Sequence, residues 1–118
     1  MSNKTNDIPV YLFTGFLEGG KTKFIQETLE DKRFCNGDRT LLVVCEEGEE
    51  EYAPEQFADK NVFIRVIEDQ SELTAENLEK FLKETRAERV VIEYNGMWML
   101  DVLYGAMPEG WMVYQEFI

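Results

Sequence analysis

The sequence contains no histidine, and this absence removes a group of functions. Histidine is the side chain that most often acts as a general base near neutral pH and as a metal ligand, so His-based catalysis and His-ligated metal sites are excluded. Cysteine is also scarce, since Cys35 and Cys45 are the only two. Because no apolar signal segment opens the chain, we expect reduced thiols and a cytoplasmic location.

Basic residues are few, with 12 Lys and Arg against 24 Asp and Glu and a formal net charge of −12. Nucleic-acid binding depends on clustered basic residues, so nucleic acid is not expected as a partner. No apolar run is long enough to span a membrane, so a membrane is not expected as a partner either. A nucleotide is compatible with this charge, because distant charges are screened over about 10 Å while the phosphates meet local donors.

A glycine-rich segment, residues 15–22, is the feature around which the chain is organised. It reads G-F-L-E-G-G-K-T and fits the P-loop pattern G-x-x-x-x-G-K-S/T. The apolar run at residues 8–13 precedes it, and a helix-compatible run at residues 23–31 follows it. The motif therefore lies between a predicted buried strand and a predicted helix, which is the context that phosphate binding requires.

The residue types in this segment suit a polyphosphate. Gly15, Gly19 and Gly20 lack a Cβ, so the backbone can turn successive N–H groups toward the phosphates. The helix that follows adds its N-terminal dipole. Lys21 is long enough to reach the outer phosphates, and the Thr22 hydroxyl is suited to bind a bridging Mg²⁺. The alternative is a glycine-rich turn with an incidental lysine.

The rest of the chain alternates predicted strands and helices. Strands are predicted over residues 8–13, 40–44, 61–67, 89–94 and 111–118, and helices over 23–31 and 71–86. This order predicts an α/β protein, a three-layer P-loop NTPase-type fold with a mainly parallel sheet. The polar residues 1–7 are expected to form a flexible tail. Because the last predicted strand runs to the end of the sequence, residues 8–118 are expected to be a partial, truncated P-loop nucleotide-binding domain.

Two further stretches follow predicted strands. Glu93 ends a buried strand and Gly96 comes soon after, which predicts an acid that serves Mg²⁺ and a backbone N–H that meets the γ-phosphate. The alternative is a solvated acid before a glycine turn. Residues 45–51 are interpreted as a switch loop at the same sheet edge, with Cys45 and Glu46 available to a transition metal. Here the alternative is a charged, solvated loop.

Methionine and aromatic residues recur between residues 97 and 117. We interpret them as core, with an exposed surface for a partner as the alternative.

Three motifs in the chain occur in the order found in a known family. They are V-Y-L-F-T-G-F-L with G-K-T at residues 10–17 and 20–22, C-E-E-G-E at 45–49 and I-E-Y-N-G at 92–96. Together they resemble the CobW-like branch of the CobW/HypB/UreG P-loop GTPases, which typically read T-G-F-L-G-S/A-G-K-T-T, N-E-F-G-E and I-E-x-x-G. The resemblance covers the N-terminal part of that family's nucleotide-binding domain.

This resemblance implies a Mg²⁺-dependent GTPase that acts as a metallochaperone or inserts a metal cofactor into a metalloprotein client, often as a homodimer. By matching positions it implies that Gly15, Gly20 and Lys21 hold phosphates and that Glu93 and Gly96 serve the γ-phosphate. Taken with the glycine-rich motif itself, the sequence predicts a catalytic set of Lys21, Thr22 and Glu93 and a nucleotide-binding set of Gly15, Glu18, Gly19, Gly20, Lys21, Thr22, Lys23 and Gly96. Thr22 and Glu93 would serve Mg²⁺, and Glu46 would lie in the switch.

The sequence also departs from that family. Glu18 and Lys23 stand where the family has a small residue and a threonine. The family's G-C-x-C-C motif is absent, and the corresponding residues 66–73 contain no cysteine. The resemblance implies GTP as the nucleotide, and because the guanine motif N-K-x-D does not occur, ATP is the alternative. A truncated, non-catalytic domain that binds a protein or weakly binds a metal is the alternative function.

Overall fold

The described part of the chain forms a five-stranded sheet and three α-helices. The computed structural model describes residues 7–14, 20–34, 37–45, 52–95 and 97–117, and at 20, 21 and 117 it describes the backbone. The strands are β1 (Ile8–Phe13), β2 (Thr40–Cys45), β3 (Val62–Ile67), β4 (Arg89–Glu93) and β5 (Trp111–Phe117). The helices are α1 (Gly20–Leu29), α2 (Ala75–Thr85) and α3 (Leu100–Ala106), and short 3-10 turns lie at Pro54–Gln56 and Gln70–Glu72.

All the strand pairings are parallel, and the order across the sheet is β3-β2-β4-β1-β5. The central strand β4 is buried along its whole length, as its apolar run from Val90 to Ile92 predicts. β1 lies beside it, with Leu12 opposite Ile92 and Phe13 opposite Glu93. The segment that follows β1 therefore starts at the sheet edge where Glu93 ends β4.

Helices cover the sheet on both faces, which produces three layers and confirms the predicted α/β fold. On one face α1 packs over a cluster of Phe13, Ile25, Leu29, Leu42, Phe57 and Val91. On the other face α2 and α3 contribute Leu78, Leu103 and Ala106 to a larger cluster that includes Val10, Leu12 and Ile92. Since side chains alternate along a strand, Val91 and Ile92 join opposite clusters.

Helix α1 is fixed by two side chains one turn apart. Ile25 and Leu29 are completely buried, and burial of such a side chain contributes about 1.5–3 kcal/mol. Phe24, the residue before Ile25, is 38% exposed and packs edge-on against Phe13. The helix begins at Gly20, three residues before the helix-compatible run at 23–31, so the end of the glycine-rich motif forms its first turn.

Helix α2 begins where a side-chain cap allows it. The Thr74 hydroxyl accepts a hydrogen bond from the Asn77 N–H at 3.1 Å, which satisfies one of the free donors of the first turn. The helix was predicted to start at residue 71. Instead, the Asp69 side chain accepts from the Ser71 N–H and holds a separate 3-10 turn. The helix ends at Arg86, which adopts the left-handed conformation with φ of 55°.

The interpretation of the methionine and aromatic residues as core is correct only in part. Leu103 and Trp111 are buried in the cluster under α2 and α3. By contrast, Met97 is 90% exposed and Met99 is 66% exposed, because they lie in the turn between β4 and α3. Tyr114 is 63% exposed on the edge strand β5.

No helix in the described ranges has both the length and the apolar character that crossing a membrane would need.

Candidate nucleotide site at the carboxyl edge of the sheet

Thr22 and Glu93 meet at the carboxyl edge of the sheet. The Thr22 Oγ1 atom donates a hydrogen bond to Oε2 of Glu93 at 2.7 Å, and both side chains are buried. Thr22 lies in the first turn of α1, whereas Glu93 is the last residue of β4. Because β1 and β4 are parallel neighbours, the helix that follows β1 starts beside the end of β4. The structure thus brings together two residues that the sequence analysis assigned to one metal.

The direction of this hydrogen bond determines what Thr22 can bind. A hydroxyl group carries one hydrogen and two lone pairs. Since the hydrogen of Thr22 is given to Glu93, the lone pairs of its oxygen are the groups left for another ligand. A lone pair on oxygen binds a cation, so Thr22 is held in the form that suits a metal ligand.

Tyr52 completes the surroundings of Glu93, and the sequence analysis did not single it out. Its hydroxyl donates to Oε1 of Glu93 at 2.5 Å, so each oxygen of the carboxylate accepts one hydroxyl hydrogen. Tyr52 directly follows the acidic stretch that comes after β2. No motif or periodic pattern in the sequence places its hydroxyl beside Glu93.

Gln26 ties the segment of Tyr52 to helix α1. Its Nε2 atom donates to the carbonyl oxygen of Ala53 at 3.1 Å, and its Oε1 atom accepts from the Ala53 N–H at 2.9 Å. Gln26 lies four residues after Thr22, which places it on the same side of α1. Through these two hydrogen bonds, Gln26 holds Ala53, and with it the adjoining Tyr52, against helix α1.

Glu93 is a buried acid, only 3% exposed, with no ion pair to any lysine or arginine side chain that the structure describes. A buried carboxylate costs free energy unless donors or a cation compensate it. The hydroxyls of Thr22 and Tyr52 compensate part of this cost. A divalent cation would compensate more. The set is made of oxygen atoms, which fits Mg²⁺, a metal that binds through one or two protein oxygens together with phosphates and water.

A second acid stands at the same edge of the sheet. Thr14, the buried residue that follows β1, donates from its hydroxyl to Oε2 of Glu116 on β5 at 3.4 Å. The two strands that flank β1 thus each bring a carboxylate to this edge, and each carboxylate accepts a threonine hydroxyl.

Two other predicted site residues that the structure describes, Cys45 and Lys23, have surroundings different from those of Glu93. Cys45 is buried in the cluster on the opposite face of the sheet, under α2 and α3. Lys23 is exposed on α1. Within the described ranges no group of three or more cysteine, aspartate and glutamate side chains is arranged to hold a metal ion.

Several predicted site residues lie outside the described residues, namely Gly15, Glu18, Gly19, Glu46 and Gly96. Gly20 and Lys21 are described by their backbone, which forms the first turn of α1.

Comparison of the chain with known protein families, with curated proteins and with solved structures gives no significant match.

Proposed function

We propose that this protein binds a nucleoside triphosphate together with Mg²⁺ and hydrolyses it, with GTP as the preferred nucleotide and ATP as the alternative. The observation that supports this best is the hydrogen bond of 2.7 Å between Thr22 and Glu93. It joins the last residue of the glycine-rich motif to the acid at the end of the neighbouring strand. The preference for GTP rests on the resemblance to the CobW-like GTPases. A metallochaperone role, a metalloprotein client and a homodimer are proposed on the same basis. A cytoplasmic location is proposed from the scarce cysteines and the polar first residues.

The first turn of α1 is suited to an anion. Backbone N–H groups in the first turn of a helix have no intrahelical partner, and the helix dipole is positive there. This turn contains Gly20 and Lys21 and no acidic residue, so its own sequence does not repel phosphate. The Lys21 ammonium is proposed to bind the outer phosphates.

Thr22 and Glu93 have different proposed roles at the metal. Thr22 is proposed to bind the metal through its oxygen, and Glu93 keeps that oxygen oriented by accepting its hydrogen. Each oxygen of Glu93 accepts one hydroxyl and retains a lone pair, so it can also accept a hydrogen from water. When bound, Mg²⁺ would neutralise charge on the β- and γ-phosphates.

Hydrolysis would proceed by in-line attack of water on the γ-phosphorus, with the bond to the β-phosphate oxygen broken. Glu93 is proposed to accept a hydrogen bond from a water molecule beside the metal. Among the described residues no other acid contacts Thr22, and we therefore expect slow turnover by the chain alone.

Calorimetric titration with a non-hydrolysable GTP analogue and Mg²⁺ tests this function. We expect the parent chain to bind and Lys21→Ala to bind at least roughly tenfold more weakly, because a charge-assisted contact is lost. Lys80→Ala, an exposed lysine on α2, is the matched control and should bind as the parent does. The same titration with an ATP analogue settles the base.

Two results would contradict the proposal. The first is a parent chain that binds neither analogue, which would favour the non-catalytic alternative. The second is an equal loss of affinity in Lys21→Ala and Lys80→Ala, which would point to a nonspecific effect of charge.

A further inference from the structure

We infer that Tyr52 is a positioning residue of the metal site: its hydroxyl fixes the Glu93 carboxylate, and Glu93 in turn orients Thr22 toward Mg²⁺. The inference rests on the proposed function, because it concerns the same metal. It adds a residue that the glycine-rich motif and the strand-end acid do not include.

The first support is the way in which the two hydroxyls share one carboxylate. Thr22 donates to Oε2 of Glu93 and Tyr52 donates to Oε1. A single hydrogen bond at Oε2 would leave the carboxylate plane free to turn, because the terminal torsion of glutamate is broad. A second donor at the other oxygen restricts that rotation. The orientation of Thr22 toward a metal therefore depends on Tyr52 through Glu93.

The second support is that Tyr52 is itself held in place. Its ring is partly buried in the cluster under α1 and lies 6.5 Å from the ring of Phe57. The next residue, Ala53, exchanges two hydrogen bonds with the side chain of Gln26. A donor with a fixed backbone loses little conformational entropy when it binds Glu93, so it can act as a support.

The third support is electrostatic. Glu93 is 3% exposed, and hydrogen bonds to an ionised carboxylate in such surroundings are stronger than those between neutral groups. Tyr52 provides one of the two hydroxyl donors that the structure gives to Glu93. Without it, the carboxylate would keep the Thr22 hydrogen bond alone, and its plane would be less restricted in direction.

A different role for Tyr52 is also testable, namely that it competes with the metal for Glu93. Thr22 and Tyr52 donate to different oxygens of Glu93 at the same time. Thr22 can therefore bind a cation while the hydrogen bond between Tyr52 and Glu93 stays intact. This arrangement favours support over competition. The two roles predict opposite changes in the Mg²⁺ requirement.

The test is the Mg²⁺ dependence of GTP-analogue binding by Tyr52→Phe, measured by calorimetry over a range of Mg²⁺ concentrations and in the presence of EDTA. We expect the half-saturating Mg²⁺ concentration to rise roughly tenfold, as is typical when a residue that supports a metal ligand is lost. Binding in EDTA should not change, because the phosphate contacts stay intact. Tyr114→Phe removes a hydroxyl from an exposed tyrosine on β5 and should leave the Mg²⁺ requirement unchanged.

A second variant keeps the test informative if Tyr52→Phe folds poorly. Gln26→Ala removes the two hydrogen bonds to Ala53 and leaves the hydroxyl of Tyr52 in the chain. We expect a smaller rise in the Mg²⁺ requirement, again with unchanged binding in EDTA. In a Glu93→Ala background, which removes the carboxylate that Tyr52 contacts, Tyr52→Phe should add nothing further, because the two residues act through one contact.

The outcomes separate the two proposals. If the parent chain binds but Tyr52→Phe needs the same or less Mg²⁺, the inference about Tyr52 is overturned and the proposed function stands. Equal weakening with Mg²⁺ and with EDTA would also overturn it, because that pattern indicates a general structural role. If the parent chain binds no nucleotide, the proposed function fails and the inference fails with it.

Discussion

Strand β4 buries a charged side chain at each of its ends, and the two ends compensate the charge in different ways. At the amino end, Arg89 is 6% exposed, donates from Nε to the Thr40 hydroxyl at 2.7 Å and stacks on the Phe34 ring at 4.0 Å. At the carboxyl end, Glu93 is 3% exposed and accepts the hydroxyls of Thr22 and Tyr52. One end thus combines an aromatic face with a threonine, while the other uses two hydroxyls.

The difference shows what distinguishes a structural charge from a site. The aromatic face of Phe34 stabilises Arg89 by a cation–π contact, and this contact does not depend on any ligand. The partners of Glu93 are hydroxyls, which keep lone pairs for a cation. Glu93 also stands at the carboxyl end of the strands, where ligands bind in open α/β sheets. Burial of a charge is common to both ends, and so it does not by itself identify the site.

The strongest test of this contrast compares two threonines, one at each end of β4. Thr22→Val should weaken Mg²⁺-dependent binding of a GTP analogue by roughly a hundredfold or more, because it removes the proposed metal ligand. Thr40→Val removes a hydroxyl that contacts Arg89 and should leave this affinity unchanged. Calorimetric titration of both variants measures the effect. Similar losses in the two variants would show that the ends do not differ in the proposed way.

A second test concerns stability at the amino end. Arg89→Ala should lower the free energy of unfolding by about 2 kcal/mol, because the buried stem of Arg89 and its stacking on Phe34 are lost. Arg89→Met keeps most of the volume and removes a charge whose Nη2 atom has no hydrogen-bond partner among the described residues. We therefore expect a change within about 1 kcal/mol. Urea unfolding measures both, and equal losses would contradict this view.

A third test concerns stability at the carboxyl end. Glu93→Gln keeps an oxygen that accepts from Thr22 and supplies an N–H₂ group that can donate to the oxygen of Tyr52. The free energy of unfolding should therefore change by no more than about 1 kcal/mol, while the Mg²⁺ requirement for nucleotide binding rises. Urea unfolding and calorimetry on the same preparation check the two halves. A large decrease in the free energy of unfolding would mean that the main role of Glu93 is to stabilise the fold.

The effect that is confined to alkaline pH concerns Tyr94, which follows Glu93 and packs in the cluster on the opposite face of the sheet. Burial raises the pKa of Tyr94 from 10.0 to about 12, and the charge of Cys45 acts in the same direction. The unfolded chain therefore loses this proton at a lower pH than the folded chain does, so the free energy of unfolding falls as pH rises between those values.

This pH dependence can be assigned by mutation. Tyr94→Phe should remove this part of the pH dependence and, at neutral pH, should lose the hydrogen bond of 2.6 Å to the Met99 carbonyl oxygen. Tyr114→Phe, at an exposed tyrosine, is the control. Urea unfolding at a series of alkaline pH values provides the measurement, and an unchanged profile in Tyr94→Phe would contradict the assignment.

The strands could be predicted from the sequence because each contains several consecutive apolar residues. The predicted run at residues 40–44 is β2, Thr40–Cys45, and the run at 89–94 is β4, Arg89–Glu93. Helix α3 was not predicted, because Leu100–Ala106 is short and includes Gly105, so its apolar period is not distinct. The position of β4 between β2 and β1 is set by long-range packing, for which the sequence offers no periodic signal.

Of the candidate site, Thr22 and Glu93 could be predicted because one completes a motif and the other ends an apolar run. Tyr52 could not be predicted in the same way. Its hydrogen bond to Glu93 depends on how the chain returns to the sheet edge after the acidic stretch, and no motif or period places that return. The two hydrogen bonds between Gln26 and Ala53 could not be predicted from the sequence for the same reason, since they join a helix side chain to a loop backbone.

The strand order has a consequence for the way in which the chain folds during its synthesis. β1 is made first, yet its ladders are completed by β4 and β5, so that Val10 pairs with Val90 on one side and with Val113 on the other. Contacts between such distant residues form slowly, and an unpaired apolar strand is prone to aggregate. The strand that leads into the glycine-rich segment therefore has no partner until residues 89–93 have been translated, and it lacks its second neighbour until residues 111–117 follow. During that interval β1 is an apolar segment that a chaperone for nascent chains can bind.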